Sequence, residues 1–155
     1  LRILNKKRIN LLRHAFIAIT LGGGIILFIV TQILLQLDPW YMPRFMVPLA
    51  GMIFSSAMNG ISLAAERLQA ETDKGIRYDD ARKIAFKASL IPTVNSLFAV
   101  GVVSLPGMMT GQILSGISPL TAARYQIMVM CMIFNSVGLA SYIFLVLVKP
   151  KSIKK

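Results

Sequence analysis

Four long stretches of this chain, Ala15 to Leu37, Pro43 to Leu63, Ala88 to Met109 and Ala122 to Val148, contain no Asp, Glu or Lys. A helix needs about 20 mostly apolar residues to cross the hydrocarbon of a bilayer, and each stretch reaches that length. Of the whole chain, 55% is hydrophobic and only 15% charged, and the mean hydropathy is +0.68. These values lie beyond those of ordinary water-soluble domains, so the bilayer is the expected solvent. The expected fold is all-α: a polytopic transmembrane helical bundle with about four spans, at 15–37, 43–63, 88–109 and 122–148.

The basic residues orient such a bundle, because Lys and Arg stay preferentially on the cytoplasmic side. Fifteen of the seventeen fall in three places: Arg2, Lys6, Lys7, Arg8 and Arg13 at the start, six between Arg67 and Lys87, and four from Lys149 onward. Arg44 and Arg124 alone lie in the other connections. Both ends and the middle loop are therefore expected to be cytoplasmic, with Asp38-Pro-Trp-Tyr41 as an outer turn carrying interfacial aromatics. The net charge of +11 becomes a topology signal with attraction to anionic lipid. It does not indicate a nucleic-acid surface, since the basic residues alternate with apolar runs rather than lining one soluble face.

The first and last spans lack proline and are expected to be plain helices. The second carries Pro48, and the third carries Pro92 and Pro106, where a missing backbone donor kinks or ends a helix. The loop of residues 64–87 holds five of the six acidic residues. Thr72-Asp-Lys-Gly75 reads as a turn, followed by a short amphipathic helix that Asp79 caps, with an Asp79–Lys83 pair. Two readings of that helix stand: it lies in the headgroup region beside the membrane, or it docks a cytosolic partner.

Catalytic chemistry is not visible. The single His14 lies at a basic boundary, no Walker-type glycine loop occurs, and Cys131 has no Cys-x-x-Cys partner. No cofactor and no dedicated metal site are expected. Met128, Met130, Cys131 and Met132 are close in sequence, but methionine and cysteine are ordinary fillers of helix contacts. The absence of carboxylates from the spans also disfavours a proton-coupled carrier, which places carboxylates at membrane depth. Gly22-Gly-Gly24 and Gly107-x-x-x-Gly111 permit close helix approach. Asn59, Asn95 and Asn135 are membrane-depth amides; Asn95, beside Thr93, Ser96 and Ser104, is the best candidate to line a path.

Three blocks, VPLAGMIFSSAMNGISLAAERL (47–68), SLIPTVNSLFAVGVVSLPGMMTGQILSGISPL (89–120) and AARYQIMVM (122–130), strongly resemble the FetB-like ABC-transporter permeases, UPF0014-type membrane proteins. That family includes bacterial iron-export permeases and plant aluminium-tolerance permeases. The resemblance covers nearly all of the chain from Ala15 to Val148. It implies that residues 1–155 form part of a single permease domain whose N-terminal helices are missing, in the inner or plasma membrane. It also implies an ABC ATP-binding subunit as partner, a homodimeric permease, and no ATPase activity in this chain itself. One departure stands out: where the family has a Leu-Gly-Ala-Thr-Pro-like stretch, this chain has ETDKGIRYDD (71–80).

The resulting expectation is an ATP-driven permease exporting iron or another small solute. A helix break at the path is expected over Ser104, Leu105, Pro106, Gly107, Met108, Met109, Thr110, Gly111 and Gln112, with Asn95 nearby. Glu66, Arg67, Asp79, Asp80, Arg82 and Lys83 are the expected ATPase-docking residues. The alternatives are a non-transporting membrane scaffold and a secondary carrier.

Overall fold

A computed structural model describes residues 2–102 and 106–148, with side chains for 11–100 and 106–148. Five helices follow in order: α1 (Arg2–Phe28), α2 (Pro43–Asp73), α3 (Tyr78–Val102), α4 (Gly107–Leu114) and α5 (Pro119–Leu147). A π-helical segment, Ile29–Leu34, closes α1. The architecture is all-helical among the described residues. Leu11–Leu34, Pro43–Asp73 and Pro119–Leu147 are long and apolar enough to cross a membrane. The apolar part of α3, from Ala88 to Val102, covers about 22 Å at 1.5 Å per residue, less than a full hydrocarbon thickness.

The helix ends follow local chemistry. α2 and α5 each begin with proline in the first turn, where the missing N–H has no helical partner to lose. Ser118 caps α5, its Oγ accepting from the Thr121 amide at 3.3 Å. α2 ends in a left-handed glycine, Gly75 at φ +81°. The Gly75 amide donates to the Thr72 carbonyl and the Ile76 amide to the Glu71 carbonyl, the Schellman closure that glycine permits. α4 ends the same way through Gly116 at φ +89°.

α2 and α5 run parallel at the centre, as their contacts rise together in number. The Ser136 hydroxyl donates to the Ile53 carbonyl at 3.0 Å, and Gly60 lies against Val137 and Ser141. α1 runs antiparallel to α5, with Gly22 at Ala140. The start of α1, the α2–α3 hairpin and the end of α5 therefore share one end of the bundle, as the charge pattern required. An apolar cluster fills that end with Ala18, Ala57, Ile61, Ala64, Leu68, Ala81, Ala85, Ala140 and Phe144. A second cluster, Val30, Leu49, Ile53, Val129 and Met132, fills the opposite end. Lipid is as apolar as these side chains, so close packing and interhelical hydrogen bonds hold the helices together.

Several expectations are corrected. The first span is not a plain helix: the Thr31 hydroxyl donates to the Leu27 carbonyl at 2.8 Å, and the Leu35 amide reaches back five residues to Val30. Such side-chain insertion widens a helix without proline. The second span continues ten residues past Leu63 to Asp73, because polar residues end a membrane span but not a helix. Residues 64–87 are thus mostly a helical hairpin around the Lys74–Arg77 turn. The segment 79–88 is the first part of α3 and not a separate helix, since no helix breaker separates it from the apolar part. Ala81 and Ala85 are fully buried by neighbouring helices, so that face of the segment packs against protein. Asp79 lies in the first turn of α3, after Arg77 has accepted the first helical amides. Asp80, not Asp79, pairs with Lys83, at 3.8 Å. The third span does not run unbroken to Met109: α3 ends at Val102, and Pro106 is extended at φ −60°, ψ 142° before α4.

Candidate functional site

A cleft of about 320 Å³ opens where α2, α3 and α5 meet. Ser56, Asn59 and Gly60 of α2 face Ser89, Thr93 and Ser96 of α3, with Leu63, Pro92, Ile133 and Val137 as apolar wall. The spacing explains the grouping. Ser56, Asn59, Gly60 and Leu63 follow at i, i+3, i+4 and i+7, and so do Ser89, Pro92, Thr93 and Ser96; each set forms one stripe along its helix.

The Ser89 hydroxyl donates to the Phe86 carbonyl at 2.8 Å and the Ser96 hydroxyl to the Pro92 carbonyl at 2.9 Å. Their protons are thereby turned into the helix, leaving oxygen lone pairs as acceptors toward the cleft. Ser56, Asn59 and Thr93 make no side-chain hydrogen bond among the described residues. The result is an uncharged lining in which a few hydroxyl and amide groups stand against an apolar wall, able to hold water or a partly hydrated cation. A volume of this size holds roughly ten waters at about 30 Å³ each.

The expected path residues divide. Ser104 and Leu105 lie outside the described residues. Asn59 and Asn95 are both exposed, and of the two only Asn59 lines the cleft. Pro106 precedes α4, and Gly107, Met108, Met109, Thr110, Gly111 and Gln112 lie on it. No residue of α4 is buried, and a side chain added at Gly107 or Gly111 would meet nothing within 4 Å. Their spacing therefore packs no helix within the described structure. The Thr110 hydroxyl donates to the Pro106 carbonyl at 3.2 Å. The Gln112 Oε1 is shielded and has no partner among the described residues, as is the Gln126 Oε1 of α5. Asn135 donates to the Cys131 carbonyl at 2.8 Å, within its own helix. Met132 is buried in the core while Cys131 is exposed.

The expected docking residues collect at the hairpin. Glu66 and Asp79 are exposed and Arg82 is half-buried. Arg77 and Lys83 flank Asp80 at 3.6 and 3.8 Å. Arg67 is held by Glu71 at 2.8 Å, and Lys74 reaches the same carboxylate at 3.2 Å. Glu71 is only 3% exposed, and sequence reading had not singled it out, although the Arg67–Glu71 spacing of four was legible. The Tyr78 hydroxyl donates to the Val148 carbonyl, tying the hairpin to the end of α5. Burial pushes the Tyr78 phenol above its usual range, with Arg82 lowering it and Asp79 raising it, so the donor stays protonated.

The description of the uncharacterised protein family UPF0014 matches residues 2–77 and 75–153. The chain belongs to this family. The two matched UPF0014 segments meet at the hairpin turn. A UPF0014 membrane protein of Synechocystis is 40% identical over 131 residues, covering 75% of this chain and 48% of that protein. The probable iron export permease protein FetB of Escherichia coli is 37% identical over 144 residues, covering 83% and 54%. The protein ALUMINUM SENSITIVE 3 of Arabidopsis thaliana is 32% identical over 142 residues, covering 82% and 51%. The chain spans about half the length of these relatives. No solved structure matches it significantly. With its apolar helices, this UPF0014 chain is a multi-pass integral membrane protein.

Proposed function

We propose that this chain is part of the membrane subunit of an ATP-driven exporter, and that its solute passes the cleft between α2, α3 and α5. The observation that carries the reading is the stripe of Ser56, Asn59, Ser89, Thr93 and Ser96, neutral polar residues gathered in one open cleft between apolar helices. Polar groups at membrane depth are tolerated where protein or a water-filled cavity covers them. The E. coli relative named a probable iron export permease supports iron as the solute. A hard cation suits oxygen donors, and a neutral lining binds it weakly enough to let it leave.

The hairpin end, with Glu66, Arg67, Asp79, Asp80, Arg82 and Lys83, faces the cytoplasm in this reading and contacts the ATP-binding subunit. α4 and the break before it act as the segment that changes shape, their glycines being unpacked. A second copy of the permease completes the assembly.

The test is ATP-dependent iron flux in vesicles holding the full-length protein with its ATP-binding subunit. Asn59→Leu combined with Ser56→Ala should lower flux by roughly tenfold, about 1.4 kcal/mol, with the subunit complex intact. Iron flux unchanged in that variant would remove the cleft as the path. Failure of any ATP-binding subunit to co-purify would remove the ATP-driven reading.

A further inference from the structure

Next to the polar cleft, on the hairpin side, a larger groove of about 500 Å³ runs between α2 and α3. Its floor is apolar, with Leu63 from α2 and Ile84, Ala88 and Ile91 from α3, and its two polar residues are Arg67 and Lys87. We propose that this groove seats one anionic phospholipid, an acyl chain along the floor and the headgroup between the two cations.

Helix geometry makes the two cations converge. Side chains lean toward the N-terminus of their own helix. For α3 that direction is the hairpin end, and for α2 it is away from it. Counted from the Gly75–Ile76 turn, Arg67 lies about two turns up α2 and Lys87 about three turns up α3, so their heads lean toward a common level. Lys87 is exposed and lines the groove, and a lysine so placed can lay its stem on apolar surface with the ammonium in water.

Charge complementarity selects the headgroup. Lys87 forms no ion pair among the described residues. Arg67 gives one guanidinium nitrogen to Glu71 and keeps further donors, its side chain being 45% exposed. Basic pockets between membrane helices take anionic headgroups for this reason. Ile91 is 56% exposed on the groove, an apolar surface that an acyl chain covers and a free phosphate leaves bare. The lipid therefore gains from both parts of the site. The inference needs neither a solute nor an ATP-binding partner, and it gives Arg67, one of the expected docking residues, to the lipid.

The test is native mass spectrometry of the full-length protein released from micelles with added phosphatidylglycerol or phosphatidylcholine. Phosphatidylglycerol should be retained about fivefold or more over phosphatidylcholine, and Lys87→Gln should abolish most of that preference. Ile91→Trp, at a position 56% exposed, should displace the bound lipid by filling the groove. Equal retention of the two lipids, or a preference unchanged in both variants, would overturn the proposal. Displacement by glycerol 3-phosphate at equal concentration would overturn the lipid as the source of the anion.

Discussion

The contacts of α1 and α2 with α5 and the short helix α4 are both rich in small residues, yet they use them in opposite ways. At Gly22 an added Cβ would stand 2.9 Å from the Ala140 backbone, and at Gly60 it would stand 2.6 Å from Val137 Cγ1. At Gly107 and Gly111 it would meet nothing within 4 Å. In the first region the missing side chain lets helices touch, which is the main source of association where lipid removes the hydrophobic drive. In the second region the missing side chains face open space and bring no helix closer. Small-residue spacing in a membrane sequence therefore signals packing only where another helix is present to receive it.

The sharpest way to break this contrast is Gly22→Val. Its new atoms meet backbone, which cannot rotate aside, so a loss of about 3 kcal/mol is expected, the upper end of ordinary overpacking costs. Unfolding in mixed micelles of rising SDS fraction measures it, and a wild-type midpoint would mean that α1 and α5 do not approach as described. A smaller effect is expected from Glu71→Ala, which removes the carboxylate shared by Arg67 and Lys74. Both cations are about half exposed, so water takes over much of their solvation, and the loss should be about 1 kcal/mol by the same titration. Gly111→Ala should have the smallest effect and the opposite sign, a gain of about 0.5 kcal/mol from helix propensity. A large loss there would show that α4 is packed after all.

Much of the fold was legible because its causes are local. Span positions follow from sums of residue hydropathy, and the Thr72–Gly75 turn follows from the conformational freedom of one glycine. Pro106 marks the end of a helical stretch because it lacks a donor. The π-helical close of α1 was not legible, since Thr31 is as compatible with an ordinary helix as with a widened one. Continuity of α3 through Lys87 was missed because a change from polar to apolar was read as a change of element. The candidate site was legible only in part: Asn59 and the Thr93–Ser96 stretch stood out, while Ser56 and Ser89 looked like ordinary small residues.

The sequence by itself determined that this chain lives in a bilayer, that it belongs with the UPF0014 proteins, and where its long apolar segments lie. Those outcomes depend on properties summed along one segment. Only the tertiary structure decided that the stripe of α2 faces the stripe of α3 across a cleft, that Asn95 turns away from it, and that the alanines of α3 face protein instead of headgroups. These depend on how three helices are rotated about their own axes. That rotation is set by where glycine and alanine let backbones meet, and it cannot be computed from any one helix alone.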